Sequence, residues 1–216
     1  MQFLNSFLDW CKFVVKRLMR PVAWALQSLS GGKLSPHVVT ITGLLAHIPI
    51  AVLIATGHPI WAGVLLVIFG LFDTLDGELA RLQGSESAVG MLLDSSVDRM
   101  KEIVLYIGIA YFLVNHAATG PFDSPQTAAV VVAACGGSML VSYINAWGDA
   151  VLSTHSHQKH AVNQTFRSGL LRFEVRMFLL VVGLLSGGLL QVVCVIALLA
   201  WFTAFERLHS VIRRLR

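Results

Sequence analysis

Long apolar runs, separated by short polar segments, recur along the whole chain. Several of these runs approach the length of about 20 residues that an α-helix needs to cross a bilayer. At the start of the first run, Ser35 and Pro36 fit the cap and the first position of a helix. The pattern predicts six transmembrane helices, over residues 35–57, 61–82, 88–114, 127–152, 170–187 and 189–208.

The segment before these spans has a different pattern. Within residues 1–30, aromatic and aliphatic residues are interleaved with lysine and arginine. Basic residues at helical spacing opposite an apolar face are typical of a helix that lies in the membrane interface. Pro21 is expected to bend this helix. The prediction is an all-α integral membrane protein, with an interfacial amphipathic helix at 1–30 and a six-helix catalytic domain at 31–216.

Composition agrees with a membrane protein. Hydrophobic residues make up 56% of the chain and charged residues 13%, whereas soluble domains carry about 25% charged residues. The mean hydropathy is +0.72. These values exclude an ordinary soluble globular domain.

Lysine and arginine are distributed unevenly among the predicted loops. If the N-terminus is cytoplasmic, the loops at 57–59, 115–126 and 187–188 face outward, and none of them contains a basic residue. All 16 basic residues fall in the remaining segments or at the span ends that adjoin them. The positive-inside rule then predicts a multi-pass protein of the cell (plasma) membrane with both termini, and the acidic span ends, on the cytoplasmic side.

Acidic residues gather where two predicted spans meet the cytoplasmic side. The chain has seven aspartates, and four of them fall between residues 71 and 99: Asp73, Asp76, Asp94 and Asp98, the aspartate cluster. Spacings of three and four residues place each pair on one face of its helix. Two antiparallel helices would bring the four carboxylates together, and like charges that close need a compensating cation.

Carboxylates without histidine or cysteine suit a hard divalent ion, so the sequence predicts Mg2+ or Mn2+, with two ions. Because protein-bound Mg2+ is usually completed by substrate phosphates, a phosphorylated substrate is expected. Arg81, one turn after Asp76, is placed to bind a phosphate. Gly77 and Gly90 leave room for the close approach of a ligand or a helix.

Other interpretations of these residues stay open. The aspartates could be helix-end charges paired with Arg81, Arg99 and Lys101, or the cation sites of a transporter. An intramembrane prenyltransferase also uses aspartate-rich helices and Mg2+ to activate a diphosphate. Three histidines between the fourth and fifth spans are interpreted as solvated loop residues rather than metal ligands: His155, His157 and His160.

The aspartates belong to a longer pattern. Residues 73–98 read D-x2-D-G-x2-A-R-x8-G-x3-D-x3-D. This resembles the signature of the CDP-alcohol phosphatidyltransferase family, with every fixed position filled. The resemblance covers most of the chain, because an interfacial N-terminal helix followed by six spans is what the family would show.

The resemblance implies Mg2+-dependent transfer of a phosphatidyl-type group from a CDP-linked lipid, such as CDP-diacylglycerol, to the hydroxyl of an alcohol, with release of CMP. It implies that the whole aspartate cluster holds metal ions and that Asp98 is also the catalytic base. The metal ions would neutralise the diphosphate and help CMP leave. The expected partners are a CDP-linked lipid donor, a small alcohol acceptor, membrane lipid and a second copy in a homodimer, with no nucleic acid.

Contacts with the CDP group follow from the same resemblance. They are assigned to His37, Val38, Val39, Thr40, Gly77, Arg81 and Ser87. At His37 this chain departs from the family, which often has asparagine after the proline.

The sequence says less about the alcohol acceptor than about the donor. Arg172 and Arg207 are similar in context to arginines that bind the phosphate of acceptors such as glycerol 3-phosphate or inositol phosphate. The alternative for both is ordinary flanking charge on the cytoplasmic side. Asn145 stands where inositol-phosphate users have a lysine in a SYxKARAE-like run. That difference weakens the inositol-phosphate assignment and leaves other phosphorylated acceptors open.

Overall fold

The computed structural model describes residues 2–116, 122–155 and 171–215, and every regular element in these ranges is an α-helix. The helices of this part are α1 (Gln2–Leu29), α2 (Pro36–Ala55), α3 (Pro59–Gly70), α4 (Phe72–Gln83), α5 (Ala88–Asn115), α6 (Ser124–His155), α7 (Phe173–Ser186) and α8 (Leu189–Leu215). The predicted all-α class is therefore confirmed. The chain forms two compact units, Met1–Gly108 and Ile109–Arg216.

Four helical stretches within the described ranges are long and apolar enough to cross a membrane: Pro36–Ala55, Pro59–Gln83, Ser124–Val151 and Leu189–Leu215. Helix α5 has 28 residues, but five charged residues lie between positions 94 and 102. Helix α7 has 14 residues, fewer than the about 20 that a span needs. The membrane-protein class is thus confirmed, whereas the third and fifth of the six spans stay predictions.

Apolar side chains are also abundant on the surface. On α2, Leu45 and Val52 are both more than half exposed. A soluble protein rarely leaves so many large apolar residues in contact with water, whereas lipid tails would cover them.

The N-terminal segment is helical over Gln2–Leu29, and Pro21 lies inside α1. The second half of α1 packs against α4, where Ala23 is fully buried against Leu75 and Leu79. Val39 of α2 completes this apolar cluster. The position of α1 in the membrane interface and the domain boundary at residue 30 stay predictions.

The second predicted span is divided into two helices. Helix α3 ends at Gly70 and α4 begins at Phe72, with Leu71 between them in a right-handed helical conformation. At this point the Leu71 N–H donates to the Ile68 carbonyl and the Thr74 N–H donates to the Leu71 carbonyl, both i to i+3 bonds. The break is therefore a local tightening of the helix, and it lies two residues before Asp73.

Helices α4 and α5 are joined by a short turn with well-defined caps. Gly84 has a φ of 60°, and the Ser85 and Gly84 N–H groups donate to the Ala80 and Arg81 carbonyls. This is the Schellman arrangement, which favours glycine. Ser87 then begins α5, because its Oγ accepts the Gly90 N–H at 3.0 Å. The turn brings the two aspartate pairs back alongside each other.

The start of α2 partly matches its prediction. The helix begins at Pro36, as expected, and Ser35 has an extended conformation. Ser35 makes no side-chain capping bond in this structure, so the proline alone marks the start of this helix.

In the unit Ile109–Arg216, α6, α7 and α8 pack together through small residues. A Cβ on Gly137 of α6 would lie 2.9 Å from the Ala200 Cβ of α8, so the glycine permits the close approach. Trp201 Nε1 donates to the Ala133 carbonyl at 3.1 Å. Most of the predicted loop after α6, including His157 and His160, lies outside the described residues.

Candidate active site

The unit Met1–Gly108 contains a cavity of about 810 Å3 at the ends of α2, α4 and α5. Most of its wall comes from the start of α2, the α4–α5 turn and the motif face of α4. Both helix pairs of the aspartate cluster contribute, through Asp76 and Asp94. The cavity therefore joins the signature motif to the segment before α2.

Five of the seven residues assigned to the CDP group line this cavity: His37, Thr40, Gly77, Arg81 and Ser87. The other two do not. Val38 is 51% exposed, and Val39 belongs to the apolar cluster beneath α1. The side chains of both valines point elsewhere, and the roles of all seven residues in donor binding stay predictions.

Two glycines of the motif have different neighbours. A Cβ on Gly77 would lie 3.5 Å from Arg81 Nη2, which is an ordinary contact, so protein packing does not require a glycine here. A Cβ on Gly90 would lie 3.3 Å from Ser87 Oγ and 3.5 Å from the His37 ring, which is tighter. Glycine inside a helix costs about 1 kcal/mol relative to alanine, and at Gly77 it leaves the cavity side of α4 open.

Asp76 is held in place by the surrounding backbone and one hydroxyl. Thr40 Oγ1 donates to Asp76 Oδ2 at 2.6 Å, and the Gly77 N–H donates to Asp76 Oδ1 at 2.6 Å. Asp76 is 5% exposed, so these bonds compensate a carboxylate that has lost most of its water. The bond from Thr40 also ties α2 to α4 at the cavity wall.

Lys101 connects the two helix pairs of the aspartate cluster. The side chain is 1% exposed, and its ammonium forms an ion pair with Asp73 Oδ1 and lies 3.7 Å from Asp98 Oδ1. Asp98 Oδ1 is buried and has no hydrogen-bond partner among the described residues. Lys101 therefore links Asp73 of α4 to Asp98 of α5, which matches the pairing with Lys101 that the sequence left open as one interpretation.

The aspartate cluster is not a preassembled metal site. Within residues 2–116, 122–155 and 171–215, no group of three or more histidine, cysteine, aspartate or glutamate side chains is arranged to hold a metal ion. The donor chemistry nevertheless fits a hard divalent cation, because all four side chains offer carboxylate oxygens. Asp98 Oδ1 is buried and makes no hydrogen bond among the described residues, although the Lys101 ammonium lies 3.7 Å away, so it can serve as a ligand atom once the lysine moves.

Arg81 is paired within its own helix. Its Nη2 donates to Glu78 Oε1 at 2.7 Å, and the Arg81 side chain is 43% exposed whereas the Glu78 side chain is 10% exposed. The pair fixes the guanidinium at the cavity wall, where it remains accessible to a ligand. Glu78 was missed in the sequence analysis, although its spacing of three residues from Arg81 was a usable signal.

The unit Ile109–Arg216 holds three arginines that we call the arginine cluster: Arg172, Arg176 and Arg207. Arg176 and Arg172 repel the positive charge of Arg207, whereas the exposed Glu206 attracts it. Arg207 is 5% exposed, and its Nε and Nη1 have no hydrogen-bond partner among the described residues. Buried N–H groups without acceptors are costly, so this arginine fits a site for an anion.

Arg176 differs from its neighbours and was missed by the sequence analysis. It is 1% exposed, and its Nη1 and Nη2 donate to the Leu171 carbonyl at 3.1 Å and to Ser142 Oγ at 3.4 Å. Arg172 lies just before α7 and is 3.8 Å from Glu174. The spacing of four residues between Arg172 and Arg176 put both on one face of the chain, which was the available signal.

A helical membrane protein with a cavity lined in part by an acidic motif is the class that this fold and site define. A family model described as CDP-alcohol phosphatidyltransferase matches residues 33–206. The chain belongs to this family, which confirms the resemblance of its motif. It is a transferase of phospholipid biosynthesis that moves a substituted phosphate group from a CDP-alcohol to an alcohol acceptor.

Related sequences agree with this assignment. The phosphatidylinositol phosphate synthase of Corynebacterium glutamicum is 30% identical over 200 residues, which cover 92% of this chain and 82% of the relative. The synthase of the same name from Mycobacteroides abscessus is 28% identical, with 90% and 84% covered. An archaetidylinositol phosphate synthase from Methanothermobacter thermautotrophicus is 26% identical, with 98% and 97% covered.

Solved structures show the same fold. The phosphatidylinositol phosphate synthase of Mycobacterium tuberculosis with CDP-DAG bound matches with a TM-score of 0.75 and 24% identity, covering 90% of this chain and 94% of that one. Its complex with manganese and citrate matches with a TM-score of 0.73 and 23% identity, covering 89% and 88%.

Proposed function

We propose that this enzyme uses CDP-diacylglycerol or a related CDP-linked lipid as donor and an inositol phosphate as acceptor, and that it depends on Mg2+ or Mn2+. The observation that carries the proposal is the cavity of the unit Met1–Gly108, into which the motif residues of α4 and α5 and the start of α2 converge. A nucleotide diphosphate fits such a site, because Arg81 offers guanidinium donors and Gly77 leaves the helix surface open.

The aspartate cluster supplies the reacting end of the site. Asp73, Asp76, Asp94 and Asp98 would hold the divalent ions, which when bound would neutralise the charge of the diphosphate and of the departing CMP. The Asp98 carboxylate takes the proton of the acceptor hydroxyl, since its Oδ1 is buried and unsatisfied. The acceptor oxygen then forms a bond with the β-phosphorus, and the bond from that phosphorus to the CMP oxygen breaks.

The arginine cluster supports a phosphorylated acceptor. Arg207 presents two buried N–H donors without acceptors, and a phosphate would satisfy both with charge-assisted hydrogen bonds. The names of the relatives favour inositol phosphate over glycerol 3-phosphate. Asn145, which pointed away from inositol phosphate in the sequence analysis, has a buried Oδ1 without a hydrogen-bond partner among the described residues, so it can accept a hydrogen bond from an acceptor hydroxyl.

The remaining parts of the proposal concern the cellular arrangement. We place the enzyme in the plasma membrane with six spans, cytoplasmic termini and a cytoplasmic active site, on the basis of the basic residues in the predicted inner loops. Helix α1 lies along the interface as a segment distinct from residues 31–216. A homodimer is proposed on family resemblance.

One experiment tests the proposed reaction. Purified enzyme in detergent is given CDP-diacylglycerol, Mg2+ or Mn2+, and one acceptor from a panel of inositol 1-phosphate, inositol, glycerol 3-phosphate, serine and choline, and CMP release is measured. We expect release with inositol 1-phosphate and none after chelation of the metal. Release with glycerol 3-phosphate alone would reassign the acceptor, and folded protein that releases no CMP with any of them would overturn the proposal.

A further inference from the structure

We propose that Lys101 is a built-in counter-cation of the aspartate cluster, which holds Asp73 and Asp98 in the metal-free enzyme and must leave them when a divalent ion binds. This inference rests on the metal-holding role proposed above for the cluster. It assigns a function to a residue outside the signature motif.

The burial of Lys101 is the first observation. Its side chain is 1% exposed, and it lies three residues after Asp98 on α5. A buried ammonium without partners costs several kcal/mol, so a lysine in this position needs close anions. Asp73 on α4 and Asp98 on α5 provide them, and the lysine thereby links the two halves of the motif.

The second observation is that α2 leaves space for the ammonium. A Cβ on Gly43 would lie 3.5 Å from Lys101 Nζ and 3.9 Å from Asp73 Oδ1, so the ion pair packs directly against Gly43 of α2. The next turn of α2 is fixed by His47, whose Nδ1 is 2.7 Å from the Gly43 carbonyl. Three helices therefore enclose one cation position between the carboxylates.

Lys101 and a divalent ion would compete, because both bind the same carboxylate oxygens. Asp73 Oδ1 forms the ion pair with the lysine, and Asp98 Oδ1 faces the same ammonium. An oxygen that binds a divalent ion at close range cannot also keep the lysine, because the two cations repel each other strongly in a buried site. This explains why the carboxylates are gathered but are not arranged as a chelating group.

Lys101 should stabilise the metal-free enzyme and destabilise the metal-bound enzyme. Without metal, the ammonium reduces the repulsion between Asp73 and Asp98 and stabilises the fold. With metal bound, the lysine has lost its partners and adds a positive charge beside the site. Its presence therefore lowers metal affinity and keeps the metal-free enzyme folded.

The test compares Lys101→Met, which keeps most of the side-chain volume, with Lys101→Arg, which keeps the charge. Mn2+ binding is measured by electron paramagnetic resonance of the free ion, without CDP-lipid, and thermal unfolding is followed with chelator and with saturating Mn2+. For Lys101→Met we expect Mn2+ to bind on the order of tenfold more tightly, a change of about 1.4 kcal/mol. We also expect a lower melting temperature in chelator and a larger rise on adding Mn2+.

Lys16→Met is the matched control, because Lys16 is exposed on α1 and its loss should change neither quantity. Lys101→Arg should stay within about threefold of the wild-type affinity, or about 0.6 kcal/mol. Unchanged or weaker Mn2+ binding by folded Lys101→Met would overturn the proposal and leave the metal site intact. Wild-type enzyme that binds no Mn2+ would overturn both the metal site and this proposal.

A second measurement uses the wild-type enzyme, so it does not depend on the folding of a variant. An amine-acetylating reagent is applied with and without Mn2+, and modification of each lysine is read by mass spectrometry. Release from the carboxylates should make Lys101 react faster in Mn2+, while Lys16 reacts equally in both conditions. Equal or slower modification of Lys101 in Mn2+ would show that the lysine stays in place and would overturn the proposal.

Discussion

In the unit Met1–Gly108, buried negative charge is compensated from within the fold. Asp76 receives two hydrogen bonds, and Asp73 forms an ion pair with Lys101. In the unit Ile109–Arg216, buried positive charge is left partly uncompensated, because Arg207 has two N–H groups without acceptors and further arginines nearby. The aspartate cluster thus contains a substitute for its ligand, whereas the arginine cluster does not.

The difference teaches how each cluster should respond to mutation. Removing a group that compensates a buried charge costs stability, because its partner stays buried and unpaired. Removing a buried charge that has no partner is neutral or stabilising when an apolar side chain fills the space. A residue whose removal raises stability and lowers activity is one that the fold keeps for function.

The largest effect is expected at Asp98. Asp98→Asn removes the proposed base and keeps the size of the side chain, so kcat should fall by on the order of a thousandfold, within the range for general bases. Binding of the CDP-lipid should be largely kept, because Asp98 is absent from the wall of the donor cavity and the other three aspartates of the cluster remain to hold the metal. The measurements are CMP release and equilibrium binding of CDP-diacylglycerol.

Asp123→Asn serves as the control for this change, since Asp123 is exposed just before α6 and should be dispensable. If Asp98→Asn kept wild-type turnover, Asp98 would not be the base. Loss of donor binding together with turnover would instead assign Asp98 to the donor site.

Arg207→Met tests the arginine cluster, where buried positive charge is left partly uncompensated. The KM for inositol 1-phosphate should rise about a hundredfold, since loss of one partner of a buried charge pair costs roughly 2–5 kcal/mol. Any activity with unphosphorylated inositol should be unaffected. The melting temperature should stay the same or rise, because the substitution removes unsatisfied N–H groups and repulsion from Arg176 and Arg172.

Arg176→Met is the matched variant in the same cluster. Arg176 donates to the Leu171 carbonyl and to Ser142, so its removal should lower the free energy of unfolding by about 1–3 kcal/mol. Opposite shifts in melting temperature for Arg176→Met and Arg207→Met would support the distinction between a compensated and an uncompensated arginine. A clear loss of stability in Arg207→Met would show that Arg207 is structural and would remove the anion-site interpretation.

A smaller effect is expected at the open surface of α4. Gly77→Ala places a methyl group in the cavity without a clash in the protein, so the KM for the donor should rise about tenfold, or 1.4 kcal/mol. Stability should increase, by up to about 1 kcal/mol, because alanine is the better helix former. Donor kinetics and thermal unfolding check the two effects separately.

Gly108→Ala tests a glycine of the same unit that, unlike Gly77, is required by packing. A Cβ there would lie 2.9 Å from the Ala51 carbonyl carbon, which is backbone and cannot rotate away. The substitution should lower the free energy of unfolding by about 1–3 kcal/mol and leave the donor KM unchanged in the folded enzyme. If Gly77→Ala left the donor KM unchanged as well, the cavity side of α4 would not face the donor.

Several features could be predicted from the sequence because they depend on local spacing. The all-α fold follows from the apolar runs, and Pro36 marked the start of α2. The aspartate pairs lie on single helix faces because residues three and four apart always do. The break at Leu71 was not predicted, since an apolar run reads the same through a tightened turn.

Lys101 was among the cations that the sequence could pair with the aspartates, but its position between two helices could not be predicted. Its spacing of three residues from Asp98 was visible, but its ion pair with Asp73 depends on how α4 and α5 pack against Gly43. The same limit applies to the arginine cluster, where Arg176 and Arg207 are both buried and only the hydrogen bonds of Arg176 separate the two. Periodicity identifies which residues share a face, and tertiary packing decides which of them are compensated.

The smallest effect is expected at Ser87, where the cap of α5 and the donor cavity meet. Ser87→Ala removes the acceptor of the Gly90 N–H and should lower the free energy of unfolding by about 1 kcal/mol. Ser87→Asn restores a capping oxygen and should recover that loss, as thermal unfolding would show. Both variants keep Lys101 and its carboxylates, so the Mn2+ affinity should not change. A change in affinity would mean that the turn between α4 and α5 also positions the aspartate cluster. An uncharged capping residue would then contribute to the compensation of the buried carboxylates.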